Sequence, residues 1–195
     1  MNDMEGWLQQ MMSLGWAVVA TDYVGLGTPG PELYLVGQSE ANDVVYSVEA
    51  LRAMSQAQAG TDYVVFGHSQ GGHSALWTGA LAKQIAPDLH LLGIAAAAPA
   101  TELADIVDAQ WDTAVGWAIG AEVAISWPSV DPSLPLQGVL SEEGYNNYQQ
   151  VANSCIDLGA VKGLAQNYLG RNFFEENPLQ SAPWAAVVRK ETPPP

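Results

Sequence analysis

Between Val44 and Met54 the apolar residues Val44, Val45, Val48, Leu51 and Met54 recur at steps that keep them on one face of a helix. This predicts a helix over Glu40–Gln58, closed by Gly60. An earlier helix is predicted from Met4 to Leu14, ended by Gly15. Two other stretches are apolar without periodicity. Trp16-Ala17-Val18-Val19-Ala20 and Tyr63-Val64-Val65-Phe66 are short continuous runs, the pattern of strands buried on both faces. A helix from the residues after Phe66 to about Ala86 and a third strand over His90–Ala97 follow. Strands alternating with helices in this order predict a parallel sheet with right-handed crossovers over residues 1–100.

Beyond Pro99 the pattern turns helical. Segments carrying Trp111, Trp117 and Trp127 are expected to be broken by Trp127-Pro128-Ser129-Val130-Asp131-Pro132 and by Leu134-Pro135. Further helices are expected over Glu142–Asn153 and Ile156–Tyr168. No strand pattern appears here, so residues 101–180 read as a helical cap or lid inserted into the sheet domain. Tryptophans at helical spacing serve equally well as cap core or as the lining of an acyl cleft. Residues 181–195, ending in three prolines, read as a linker toward a further C-terminal part.

The 195 residues are 48% apolar and 14% charged, which is the composition of a folded domain. Acidic residues outnumber basic ones by 21 to 6, a formal charge of -15, and Lys and Arg form no cluster. This excludes nucleic acid as a partner and disfavours anionic membranes. A neutral or cationic ligand suits the charge, and so does plain solubility. No apolar run reaches the ~18–20 residues of a membrane span, so no stable membrane insertion is expected. The acidic start Met1-Asn2-Asp3-Met4-Glu5 is not a signal peptide. The single cysteine, Cys155, is either a buried thiol or one half of a pair completed elsewhere. No Cys/His cluster suggests a metal, and Gly25-Leu26-Gly27 is too weak a match to a dinucleotide fingerprint to imply a cofactor.

One motif carries chemistry. Gly67-His68-Ser69-Gln70-Gly71 fits the G-x-S-x-G nucleophile elbow, and it sits between a predicted strand and a predicted helix, the context such an elbow needs. Ser69 is the expected nucleophile, and the backbone N–H of Gln70, at the helix N-terminus, an expected oxyanion donor. The alternative is a serine N-cap in a glycine-rich turn. The bases on offer are His68, His73 and His90. His68 should diverge from Ser69, His73 should pack against sheet or cap, and His90 should begin a strand at the far edge. In this fold the acid and the histidine follow the serine on later strands, and neither such strand is visible, so the triad reads as incomplete. Asp22, at a predicted strand end before Gly25 and Gly27, is a candidate catalytic acid, but such loops mostly use the residue to hydrogen-bond their own backbone, and it reads mainly in that role.

Trp16-Ala17-Val18-Val19-Ala20-Thr21-Asp22-Tyr23-Val24-Gly25-Leu26-Gly27-Thr28-Pro29-Gly30, Ser39-Glu40-Ala41 and Gly67-His68-Ser69-Gln70-Gly71-Gly72-His73 together resemble the secretory lipase family, fungal and bacterial α/β-hydrolases of the lipase A type. Ala97-Ala98-Pro99-Ala100-Thr101, Asn177-Pro178-Leu179, Trp184 and Glu191-Thr192-Pro193 also resemble it. The resemblance implies a partial α/β-hydrolase fold with a helical cap, an acyl ester or acylglycerol substrate and an extracellular protein. It also implies strands before Met1, an acid and a histidine beyond Pro195, and a cap disulfide for Cys155. The oligomeric state and the acyl-chain preference are not implied.

Overall fold

The computed structural model describes residues 5–153 and 170–195. The expected helix over Ile156–Tyr168 and Cys155 lie outside the described residues. Helix α1 (Glu5–Ser13) is followed by an irregular stretch, then α2 (Gly37–Ala53), β1 (Asp62–His68), α3 (Gln70–Ile85) and β2 (His90–Ala97). Helices α4 (Leu103–Gln110), α5 (Ala114–Val130) and α6 (Glu142–Ala152) come next. A short 3-10 turn (Pro178–Gln180) leads into α7 (Ala182–Glu191).

Strands β1 and β2 pair in parallel, with Val65 opposite Ile94 and His68 opposite Ala97. Helix α3 crosses between them, so the β–α–β unit read from the sequence is present. Val45 of α2, Tyr63 and Val65 of β1, and Ala75 and Ala82 of α3 form one buried cluster on one side of the sheet. The opposite side is open. Val64 and Phe66 are 48% and 46% exposed, and Trp7 of α1 reaches Phe66 with ring centroids 5.4 Å apart. Strand β1 therefore alternates inside and outside, unlike the doubly buried strand that its unbroken apolar run predicted.

The expected strand over Trp16–Ala20 is not formed. These residues pair with no strand, and Trp16 and Val19 are 44% and 39% exposed. An apolar run becomes a buried strand only where a neighbour takes up its backbone groups, and among the described residues none lies alongside. Helix α2 also stops short of its predicted end. The Met54 backbone turns extended, with its N–H on the Leu51 carbonyl, and Gln58 adopts a φ of 49° before Gly60 is reached.

A second, larger core lies among α4, α5 and α7 and the segments beside them. Trp117, Trp127, Phe173, Phe174, Trp184, Val187 and Val188 are buried together with Leu35, Val36 and Leu103. The rings meet edge-on or tilted, with Phe174 and Trp184 at 5.7 Å and Trp127 and Trp184 at 5.7 Å. Trp117, Trp127 and Trp184 are thus core residues, each with its indole N–H on a backbone carbonyl: Arg171, Leu35 and Pro135 respectively. Pro128 does not break α5, which runs on to Val130; in the last turn a proline forfeits only one backbone bond. Residues 181–195, expected as a linker, contain α7, whose Trp184, Val187 and Val188 are pinned in this core.

Candidate active site

The elbow is built by contacts that few residues can satisfy. Strand β1 ends at His68, Ser69 turns with φ 56° and ψ -116°, and α3 begins at Gln70. A positive φ at a non-glycine residue is strained, and such strain concentrates at functional sites. The turn is held by the Ser69 N–H on the Ala97 carbonyl at 3.0 Å and the His73 N–H on the Ser69 carbonyl at 3.1 Å. A Cβ at Gly67 would lie 1.8 Å from the Gly71 carbonyl oxygen, and one at Gly72 would lie 2.8 Å from Pro99 Cα. Both glycines are therefore required by space. Gly71 is not, since a Cβ there would meet nothing nearer than Tyr23 Oη at 3.9 Å.

Ser69 makes no capping hydrogen bond, which counts against the simple N-cap reading. Gln70 occupies the first turn of α3, where backbone N–H groups have no intrahelical acceptor. The N–H and the serine hydroxyl are thus both uncommitted at one helix N-terminus.

None of the three histidines is arranged as a partner for Ser69. His90 pairs with Asp62 at 3.0 Å, both exposed, at the N-terminal end of the sheet. The length of β1, about 20 Å at ~3.3 Å per residue, separates this pair from the elbow. His68 is exposed beside the turn. His73 is fully buried and committed elsewhere: Nδ1 lies 2.6 Å from Glu40 Oε2 and Nε2 lies 2.8 Å from the Glu191 carbonyl.

Around His73 runs a polar network that sequence reasoning missed. Glu40, in the first turn of α2, is 1% exposed, and its Oε1 accepts from the Leu35 N–H at 3.1 Å and from Gln70 Nε2 at 3.0 Å. A helix N-terminus favours a carboxylate there. Glu191, at the end of α7 and 3% exposed, accepts the Gly37 N–H on Oε2 at 2.9 Å. The available signal was Glu40 itself, an acid entering the apolar face of α2 just ahead of Val44.

Further carboxyls follow from Glu40 toward α5. Burial, and then the charge of Glu40, pushes Glu32 above the usual carboxylate range. Glu122 of α5 is pushed up to about 8, first by burial and then by Glu32. Burial also raises Tyr34, next to Glu122, Glu40 and Glu32. Asp22 is exposed and does not brace its loop as expected. Asp43 Oδ2 and Thr28 Oγ1 do so instead, accepting the Val24 and Gly25 N–H groups at 3.0 Å each. Two clefts of about 540 and 360 Å³ are lined by residues of α5, α6 and their neighbours, and neither includes Ser69 or Gln70. Among the described residues no group of three or more His, Cys, Asp or Glu side chains could hold a metal, and no helix is long and apolar enough to cross a membrane.

A family profile described as secretory lipase matches residues 4–191, nearly the whole chain. The chain belongs to the secretory lipase family. A curated relative, lipase A of Moesziomyces aphidis, is 22% identical over 192 residues, covering 96% of this chain and 39% of that protein. The crystal structure of Candida antarctica lipase A is similar at a TM-score of 0.63 and 17% identity, over 82% of this chain and 38% of that one. Its closed state is similar at a TM-score of 0.62 and 18% identity. These likenesses establish the partial α/β-hydrolase fold. The chain spans about two fifths of the length of these lipases.

Proposed function

We propose that this chain carries the nucleophile of a serine carboxylic-ester hydrolase, a lipase or esterase acting on acyl esters such as acylglycerols, in an extracellular protein. The observation that carries the proposal is the strained Ser69 turn, with φ 56° and Gly67 forced by the Gly71 carbonyl, at the joint of β1 and α3. Membership of the secretory lipase family supports the ester substrate and the extracellular setting. In this reading the Ser69 hydroxyl passes its proton to a base other than the three histidines as its oxygen bonds to the ester carbonyl carbon, and the Gln70 N–H stabilises the oxyanion. The C–O ester bond then breaks, the alcohol leaves with the proton, and water later hydrolyses the acyl-Ser69 ester. The base and the acid are not His68, His73, His90 or Asp22, so the chain by itself should react slowly.

A fluorophosphonate probe tests this. The expected outcome is slow, single labelling at Ser69, located by peptide mass spectrometry and absent in Ser69→Ala. Labelling spread over several serines would refute the nucleophile assignment, and brisk labelling would refute the missing base. A second reading, a non-catalytic module that keeps the fold for binding, is favoured by the commitment of His73 to Glu40 and Glu191. It predicts no labelling at Ser69 at any reagent concentration that leaves other serines untouched.

A further inference from the structure

The Glu40–His73–Glu191 network lies apart from the chemistry assigned to Ser69, yet it grips the residue that bears the oxyanion donor. Gln70 contributes its N–H from the backbone, and its side chain is anchored to Glu40 Oε1 at 3.0 Å. The same oxygen holds the N–H of Leu35, a residue at φ 50°. Oxygen Oε2 faces His73, one helical turn after Ser69, at 2.6 Å. One buried carboxylate thus ties the start of α3 to the turn that precedes α2.

We infer that Glu40 is a positioning residue, which aims the Gln70 N–H through the Gln70 side chain and the His73 ring. The inference rests on the reading of Ser69 as nucleophile. It does not make Glu40 a base, since Glu40 touches neither Ser69 nor any reacting atom.

The His73 ring is held at both nitrogens. Nδ1 meets Glu40 Oε2 at 2.6 Å, and Nε2 lies 2.8 Å from the Glu191 carbonyl. Trp77 Nε1 is shared between that carbonyl at 3.2 Å and Nε2 itself at 3.1 Å. With side chains 0% and 1% exposed, His73 and Glu40 have no water to replace these contacts.

The test uses the whole chain, a fluorophosphonate, and labelling rates at Ser69 normalised to the folded fraction from circular dichroism. Glu40→Leu and Gln70→Ala are expected to slow labelling roughly tenfold or more, because the donor loses its anchor. Glu40→Gln still accepts from Leu35 and Gln70 and can donate to Nδ1, so it is expected to recover most of the rate. Gln70 is only partly buried, so Gln70→Ala keeps the test decisive if Glu40→Leu fails to fold. Equal rates in all variants overturn the inference, and so does a Glu40→Gln rate as low as that of Glu40→Leu. A native chain whose Ser69 never reacts overturns the nucleophile reading and takes this inference with it. Ring ¹⁵N spectra supply the second readout. The Nδ1 resonance of His73 is expected to shift between the native chain and Glu40→Gln, and an unchanged Nδ1 overturns the coupling of Glu40 to the ring.

Discussion

Glu122 should make the stability of this protein fall as pH rises through neutrality. Its carboxyl is pushed from 4.5 to about 8, first by burial and then by the charge of Glu32. The folded state therefore keeps a proton that the unfolded chain releases near pH 4.5. Between these values the folded state binds more protons, so the stability associated with the group is complete below about 4.5 and declines until about 8. At about 1.36 kcal/mol per pH unit the full shift would correspond to about 5 kcal/mol. The carboxyl retains some access to solvent, and screening reduces this to about 2–3 kcal/mol. Urea unfolding of the native chain and Glu122→Gln, at pH 4.5 and at pH 8.5, isolates the effect. Glu32 is raised as well, so only the difference between the two proteins is diagnostic. The advantage of Glu122→Gln should grow by about 2–3 kcal/mol from the lower pH to the higher. An advantage that stays constant across that range would refute the argument, because Glu122 would then titrate alike in both states.

Two further outcomes follow from the elbow and one from the second core. Ser69→Gly should raise stability by about 1 kcal/mol, measured by urea unfolding, by removing the strain of a side chain at positive φ, while abolishing fluorophosphonate labelling. Gly67→Ala should lower stability by about 3 kcal/mol in the same assay, since its Cβ would meet backbone that cannot yield. In the second core, Trp184→Ala should cost about 3–5 kcal/mol, read as a lowered denaturation midpoint, because Trp127 and Phe174 both pack on that ring.

The β–α–β unit and the elbow were legible because local patterns specify them. Tyr63–Phe66 and His90–Ala97 are short apolar runs, and the glycines of Gly67–Gly72 mark the turn between strand and helix. Trp16–Ala20 misled because an apolar run records burial potential, whereas strand formation depends on a neighbour that local sequence does not name. Pro128 misled in the opposite sense, since its cost depends on how near it lies to the end of α5. The Glu40–His73–Glu191 network was invisible because its members are far apart in sequence. Glu191 follows basic residues and precedes prolines, so its surroundings look like a solvated linker, and the resemblance of Glu191-Thr192-Pro193 to the family does not name its partners.

The reach of that last contact bears on the order in which the elbow is assembled. The Gln70–Glu40 bond closes a loop of 30 residues, whereas the His73–Glu191 bond closes one of 118. For flexible chain the longer closure costs about 1 kcal/mol more, and it must await synthesis of α7. During translation the strained turn can therefore form against β2 while the Nε2 side of His73 still faces water. The His73–Glu191 bond can close only once Glu191 has been synthesised.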